Sequence, residues 1–198
     1  MANTLDKNQT TVNDGSEYVF GSVSRVLMGQ AFQAGVSGPI SRASISIFRA
    51  GSPSDSIRLK IYNANRSGDS ISIPSATALI TSTNTVLGSS LPSYPAPVSL
   101  ANAPFVDFDF NGSASFVSGN YYLLSAERTG SANDTDRYGW SAASTNVDTT
   151  GGSAQGDTQT TWAISPTNIS NVTNADQTYR TYYDPALEGG TGNFLAVF

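Results

Sequence analysis

Apolar residues in this chain recur with a period of two and almost never at the three-to-four spacing of a helix face, a pattern that restricts the fold more than any other feature. It is cleanest at 105–110, where Val106, Phe108 and Phe110 alternate with Asp107 and Asp109 ahead of the turn signal Asn111-Gly112. Ile45 and Ile47 alternate with serines in 41–49, and Ile57, Leu59 and Ile61 alternate with Ser56, Arg58 and Lys60 beyond the turn-rich stretch 50–55. These two segments predict a hairpin. A further strand is expected at 26–32, with Val26, Met28, Gln30 and Phe32 on one face. Across 63–94, Ser, Gly and Pro surround one short apolar run, Ala78-Leu79-Ile80, which predicts long loops around a brief strand.

The run Tyr121-Tyr122-Leu123-Leu124-Ser125-Ala126 reads as a central strand buried on both faces, with 138–143 and 161–165 as expected neighbours. Residues 178–183 and 194–198 read as closing strands. About nine or ten short strands separated by turns predict an all-β protein, an antiparallel β-sandwich of jelly-roll type. The expected organisation is an N-terminal arm at 1–25, a jelly-roll domain at 26–185, and a C-terminal tail or closing strand at 186–198.

Composition supports the strand reading and removes whole classes of chemistry. The chain has 198 residues, 38% of them apolar, enough for one domain with a real core. Only 13% are charged, so Ser, Thr, Asn and Gly carry the solubility, as suits turns and hydroxyl-lined sheet faces. Histidine and cysteine are absent, and the glutamates are Glu17, Glu127 and Glu188, which leaves no Ser-His or Cys-His pair and none of the common zinc ligand sets. The expected role is therefore non-enzymatic.

A net charge of -5 with ten scattered basic residues argues against nucleic acid, whose phosphates demand clustered Lys and Arg. Nothing approaches the run of about 18 apolar residues that a spanning helix needs, so no membrane partner is expected. The segment 1–11 is polar, with a single lysine and without the hydrophobic centre of a secretory signal, which sets the expectation of a protein assembled in a cytoplasm.

The succession Gly29-Gln30-Ala31-Phe32, Ile45-Ser46-Ile47, Gly51-Ser52-Pro53, Ile57-Arg58-Leu59-Lys60-Ile61-Tyr62, Val106-Asp107-Phe108, Ser118-Gly119-Asn120-Tyr121-Tyr122-Leu123 and Tyr138-Gly139-Trp140 resembles the jelly-roll modules of phage virion proteins and bacterial surface proteins. Those modules are similar to carbohydrate-binding modules. The resemblance spans 26–183 and consists of core and turn residues. It implies a non-enzymatic body used for display, adhesion or reinforcement. With the signal-free start, it implies a bacteriophage virion protein assembled in the host cytoplasm, foremost a capsid decoration (cement) protein. Its expected partners are the major capsid protein or other virion proteins, and a homo-oligomer, a trimer among them, is the expected assembly. The alternative is a receptor-binding or carbohydrate-binding module of a tail or head fibre, with a surface glycan as partner.

Three sets of residues are candidates for contact. The apolar stretch carrying Phe194, Leu195, Val197 and Phe198 suits docking on a neighbour by strand addition, and equally an edge strand of the chain's own sheet. Tyr138, Trp140 and Trp162 are candidates for stacking on sugar rings, a role that competes with core packing. Asp134 and Asp136, in a loop opened by Asn133, are the candidate ligands of a structural calcium, the one cofactor to weigh, although the loop lacks the glycine and distal glutamate of the helical calcium motif. Asp107 and Asp109 form a second close pair, read foremost as a solvated strand face. Glu127 and Asp184 are the acidic residues to weigh for a glycosidase pair, against surface charge beside Arg128 and a turn before Pro185.

Overall fold

The computed structural model describes residues 3–12, 17–67, 70–94, 104–143, 152–156, 169–172 and 176–187. In chain order their strands begin with β1 (Thr4–Gln9), β2 (Glu17–Phe20), β3 (Leu27–Gln33), β4 (Gly38–Ala50), β5 (Ser56–Ser67) and β6 (Ser70–Ser72). There follow β7 (Ile80–Thr81), β8 (Val86–Leu87), β9 (Ser93–Tyr94), β10 (Phe105–Asp109), β11 (Ser115–Phe116) and β12 (Tyr121–Arg128). The last are β13 (Arg137–Ala143), β14 (Gly152–Gly156), β15 (Ile169–Val172), β16 (Asp176–Gln177) and β17 (Tyr179–Tyr183). Several have two or three residues, which is why they leave no periodic trace in the sequence.

These strands form two packed sheets, an all-β sandwich. One is nine-stranded, in the order β1-β17-β4-β13-β16, with β10, β11 and β9 also paired to β4 and β2 to β13. The other is eight-stranded, in the order β15-β14-β3-β12-β5-β6, with β7 and β8 on β5. Pairing is antiparallel except between β4 and β9.

The core lies between the sheets and follows the period-two pattern. Ala43, Ile45 and Ile47 of β4 and Phe108 of β10 meet Ile57, Leu59 and Ile61 of β5, all at 0% exposure. At one end four rings lock the layers: Phe32 and Tyr122 from the eight-stranded sheet lie 5.6 and 5.0 Å from Phe116, and Tyr179 lies 5.5 Å from Phe32. Such ring pairs add about 0.5–1.5 kcal/mol each beyond the area they bury. A second cluster covers the other face of the eight-stranded sheet, where Leu27, Ala31, Tyr62 and Leu123 pack under Ile71 and Ile73. The run 121–126 is apolar on both faces because β12 sits between β3 and β5 with a cluster on each side.

Three expectations need correction. Segments 41–49 and 57–61 are strands but do not form a hairpin: β4 and β5 lie in different sheets, and residues 51–55 carry the chain across the sandwich. Alternation marks which face is apolar, and it is blind to whether two such faces lie side by side or oppose each other. The neighbours of β12 are β3 and β5, while 138–143 belong to the opposite sheet as β13. Within 1–25, β1 is paired with β17 and β2 with β13. Asp6 fastens β1 by accepting the backbone N–H groups of Gly35 (2.9 Å) and Val36 (3.0 Å). Finally, the loops expected from 63 onward begin later, because β5 runs on through Asn63 and Asn65 to Ser67.

Candidate functional site

Tyr138 and Trp140 are at 0% exposure, which corrects the expectation that they stack on sugars. Both sit on β13, between β4 and β2, and point into the core. The Trp140 indole donates to the Thr178 carbonyl at 2.7 Å, and the Tyr138 hydroxyl donates to Asp55 Oδ1 at 2.9 Å. Burial of their area with a satisfied polar edge is how large amphipathic rings serve an interior. Trp162, Phe194, Leu195, Val197 and Phe198 lie outside the described residues.

Asp55, which the alternation pattern left unremarked, is the hub at one end of the β5–β12 pair. Its carboxylate accepts a two-pronged grip from Arg128, Nε and Nη2 each at 2.8 Å, and the Gly130 N–H at 2.8 Å. Arg128 also donates through Nη1 to the carbonyls of Gly21 (2.7 Å) and Asp136 (3.0 Å), tying three loops together. Desolvation pushes the Asp55 carboxyl up, but the hydrogen bonds from Arg128, Tyr138 and Gly130 and the Arg128 charge outweigh it and hold the group below the ordinary aspartate value. The Tyr138 hydroxyl is driven up by burial and by the Asp55 hydrogen bond and charge.

The calcium candidates lie in the same region. Asp134 Oδ1 accepts the Val23 N–H at 2.9 Å and Asp136 Oδ1 the Ser52 N–H at 2.7 Å, while Asn133 Oδ1 caps the turn by accepting from Thr135 (2.8 Å) and Asp136 (3.2 Å). The two carboxylates thus anchor different loops. Among the described residues no three His, Cys, Asp or Glu side chains group together.

On the outer face of the nine-stranded sheet Arg42 bridges Asp109 Oδ1 (2.7 Å) and Asp107 Oδ2 (2.9 Å), and the Ser44 hydroxyl donates to Asp107 Oδ1 (2.6 Å). The Arg180 guanidinium reaches across β4 to lie 4.0 Å from the centre of the Phe105 ring. Tyr182, half-buried, is paired with Arg42 on one side and on the other with Leu5 of β1, which is 47% exposed. Arginine, aromatic and leucine side chains therefore share one broad outer surface across β1, β17, β4 and β10.

The outer face of the eight-stranded sheet is different. Glu127 is buried and accepts from Lys60 Nζ at 2.7 Å and the Tyr62 hydroxyl at 3.0 Å, which places it in a structural cluster. Burial and the Glu127 charge drive the Tyr62 hydroxyl up. Asp184, also buried, accepts the Ala186 N–H at 2.9 Å and so makes the turn at Pro185. At the far end of β5 and β12 lies an open groove of about 330 Å³, lined by Asn63, Asn65, Arg66, Gly119, Asn120 and Tyr121. Sequence reasoning missed this groove because it assigned the stretch to loops. The signal was there in Asn63-x-Asn65, two residues of low strand preference inside an alternating segment.

No protein-family model matches the chain, and no curated protein matches its sequence. Among the described residues no helix is long and apolar enough to cross a membrane. Function is therefore argued from the surfaces themselves.

Proposed function

We propose that this chain is a non-enzymatic structural protein of a bacteriophage virion, a capsid decoration or cement protein of jelly-roll type that stabilises or decorates the shell through protein–protein contacts. The observation that carries the reading is the outer face of the nine-stranded sheet, where Leu5, Arg42, Phe105, Arg180 and Tyr182 are presented together on paired strands. Arg and aromatic residues are the types that dominate the energy of protein interfaces, and a rigid sheet face presents them at little entropic cost. The acidic side chains weighed for a glycosidase pair are consistent with this, since Glu127 and Asp184 are each held by structural partners. The resemblance of the core and turn residues to virion modules supplies the context, with the major capsid protein as the expected partner and a symmetric oligomer as the expected assembly.

The test is location. Electron microscopy of purified particles is expected to place this two-sheet body on the outer surface of the coat, and the double variant Arg180→Glu, Tyr182→Ala is expected to lose particle binding while keeping its circular dichroism spectrum. Finding the chain only at a fibre tip, or unchanged particle binding by that variant, overturns the reading.

A further inference from the structure

We propose that the cavity beside Ser41, where β4 bulges next to the end of β10, receives the side-chain ammonium of a lysine from the docked partner, accepted by Ser41, Thr83 and Asp109. The inference rests on the docking reading of this sheet face for the source of the lysine, while the chemistry of the cavity is tested without any particle.

The first ground is a buried hydroxyl without a partner. Ser41 is 2% exposed, and its Oγ meets no hydrogen-bonding group among the described residues. Ser44 and Ser46, farther along the same strand, donate to Asp107 (2.6 Å) and Ser141 (3.2 Å). Buried polar groups are nearly always paired, so an unpaired one calls for an occupant from outside the chain. The second ground is where the backbone turns it. β17 pairs Tyr182 with Arg42 and Tyr183 with Ile40, which leaves Ser41 as the extra residue of a bulge. Ile40 and Ala43 both belong to the core, so Ser41 and Arg42 lie together on the outer side. There they border an open cavity of about 340 Å³ with Asn3, Thr83, Asp109 and Asn111. The third ground is rigidity. The Phe110 N–H donates to the Ser41 carbonyl at 2.8 Å, and the Thr83 N–H (2.7 Å) and hydroxyl (3.1 Å) both donate to the Asp109 carbonyl.

Three of the lining side chains present open acceptors, and these decide the ligand class. Asp107 has both oxygens occupied, by Ser44 and Arg42, but Asp109 gives Arg42 only Oδ1 and keeps Oδ2 open among the described residues. The Thr83 hydroxyl has committed its proton to a carbonyl and offers lone pairs, as the Ser41 hydroxyl also can. A lysine ammonium carries three donors and no acceptor, which matches these three oxygens. One arginine against two carboxylates leaves a negative charge at the cavity, on a chain of net charge -5, and this disfavours an anion. A guanidinium fits less well, because its fork takes both oxygens of one carboxylate and Arg42 already holds one of them. A divalent cation is disfavoured as well, since among the described residues no three His, Cys, Asp or Glu side chains group together. The long flexible stem of lysine lets a partner lying flat on the sheet reach into the cavity.

The experiment uses the whole chain. The nitrogen-15 labelled protein is titrated with Nα-acetyl-lysine methylamide, with the Nζ-acetylated form of that probe and the corresponding arginine derivative as comparisons. Weak, saturable shifts of the Ser41, Thr83 and Asp109 amide signals are expected with the lysine probe, smaller ones with the arginine derivative and none with the acetylated form. Affinity should fall roughly tenfold in Asp109→Asn and about two- to fivefold in Ser41→Ala. The Ser41 hydroxyl holds no internal bond, so Ser41→Ala is expected to keep or raise the urea midpoint and tests the cavity should Asp109→Asn misfold. The proposal fails if the lysine probe gives no saturable shifts, if the shifts map to another surface, if either comparison probe binds as tightly, or if either variant leaves the affinity unchanged. Failure here with particle binding intact removes this inference alone. Lysine binding by a chain that does not bind the particle removes the shell reading and leaves the chemistry of the cavity standing.

Discussion

The two ends of the β5–β12 strand pair are built from the same alternating sequence and end in opposite ways. At the Ile57–Arg128 end the polar groups are consumed: Asp55 accepts from Arg128, Tyr138 and Gly130, and Arg128 goes on to two carbonyls. At the Ala64–Tyr121 end three amides stand in an open groove without a bond to the described protein. A polar cluster that folds a protein is closed upon itself, whereas one that serves a partner is left incomplete on a rigid frame. The contrast is quantitative and can be attacked from either end.

The largest effect belongs to Asp55→Ala. Arg128, whose side chain is 7% exposed, would keep its charge and lose its carboxylate, and leaving a buried charge unpaired costs about 3–5 kcal/mol. Urea denaturation should show a loss of about 3 kcal/mol, with a fall of roughly 6–12 °C in Tm for a chain of this size. A loss under about 1 kcal/mol would mean that this end is no more closed than the other.

Glu127, in the same pair, comes next. Glu127→Gln keeps the shape but weakens the bonds from Lys60 and Tyr62, and hydrogen bonds to a charged group are worth about 1.5–3 kcal/mol against about 1 for neutral ones. Since Lys60 is part-exposed, an expected loss of about 1 kcal/mol places this position between the two ends.

Acid provides a third probe. The Asp55 carboxyl is held below its ordinary value of about 3.9, so the stability it contributes is complete above that pH and is lost as pH falls through the depressed folded value. The difference in urea midpoint between the parent and Asp55→Asn should therefore be constant from pH 7 to about 5 and shrink below about pH 4. Asp6 acts in the opposite sense. Burial raises its carboxyl, so protonation there favours the folded state as pH falls, and Asp6→Asn should remove that gain.

How much of this was legible depends on the scale of the signal. Strand existence was readable wherever burial on one face forces alternation, as with Val106-Asp107-Phe108-Asp109-Phe110, and the two-face burial of 121–126 was readable from its unbroken apolar run. Pairing was not, because Ile45 and Ile57 look alike whether their strands lie side by side or face each other across a core. The roles of Tyr138 and Trp140 were open for a related reason: a ring with a polar edge suits an interior and a surface equally, and here Asp55 and the Thr178 carbonyl, distant in sequence, complete the interior version. Asp55 itself lay hidden inside a turn signal. The groove was hidden for the reverse reason: the Ser, Gly and Pro of 63–94 read as loops, whereas pairing with β12 holds Asn63 in a strand and pairing with β6 holds Asn65.

The smallest expected effect is the sharpest test of the contrast. Asn65→Thr replaces a residue that disfavours strands with one that favours them, at an exposed position whose amide bonds to nothing described. If the amide serves only an outside partner, folding loses nothing by the change, and stability should hold or rise by a few tenths of a kcal/mol, within the range of ordinary surface substitutions. A loss of more than about 1 kcal/mol in urea denaturation would show that the amide supports the strand end, and the two ends of the β5–β12 pair would then differ in degree and not in kind.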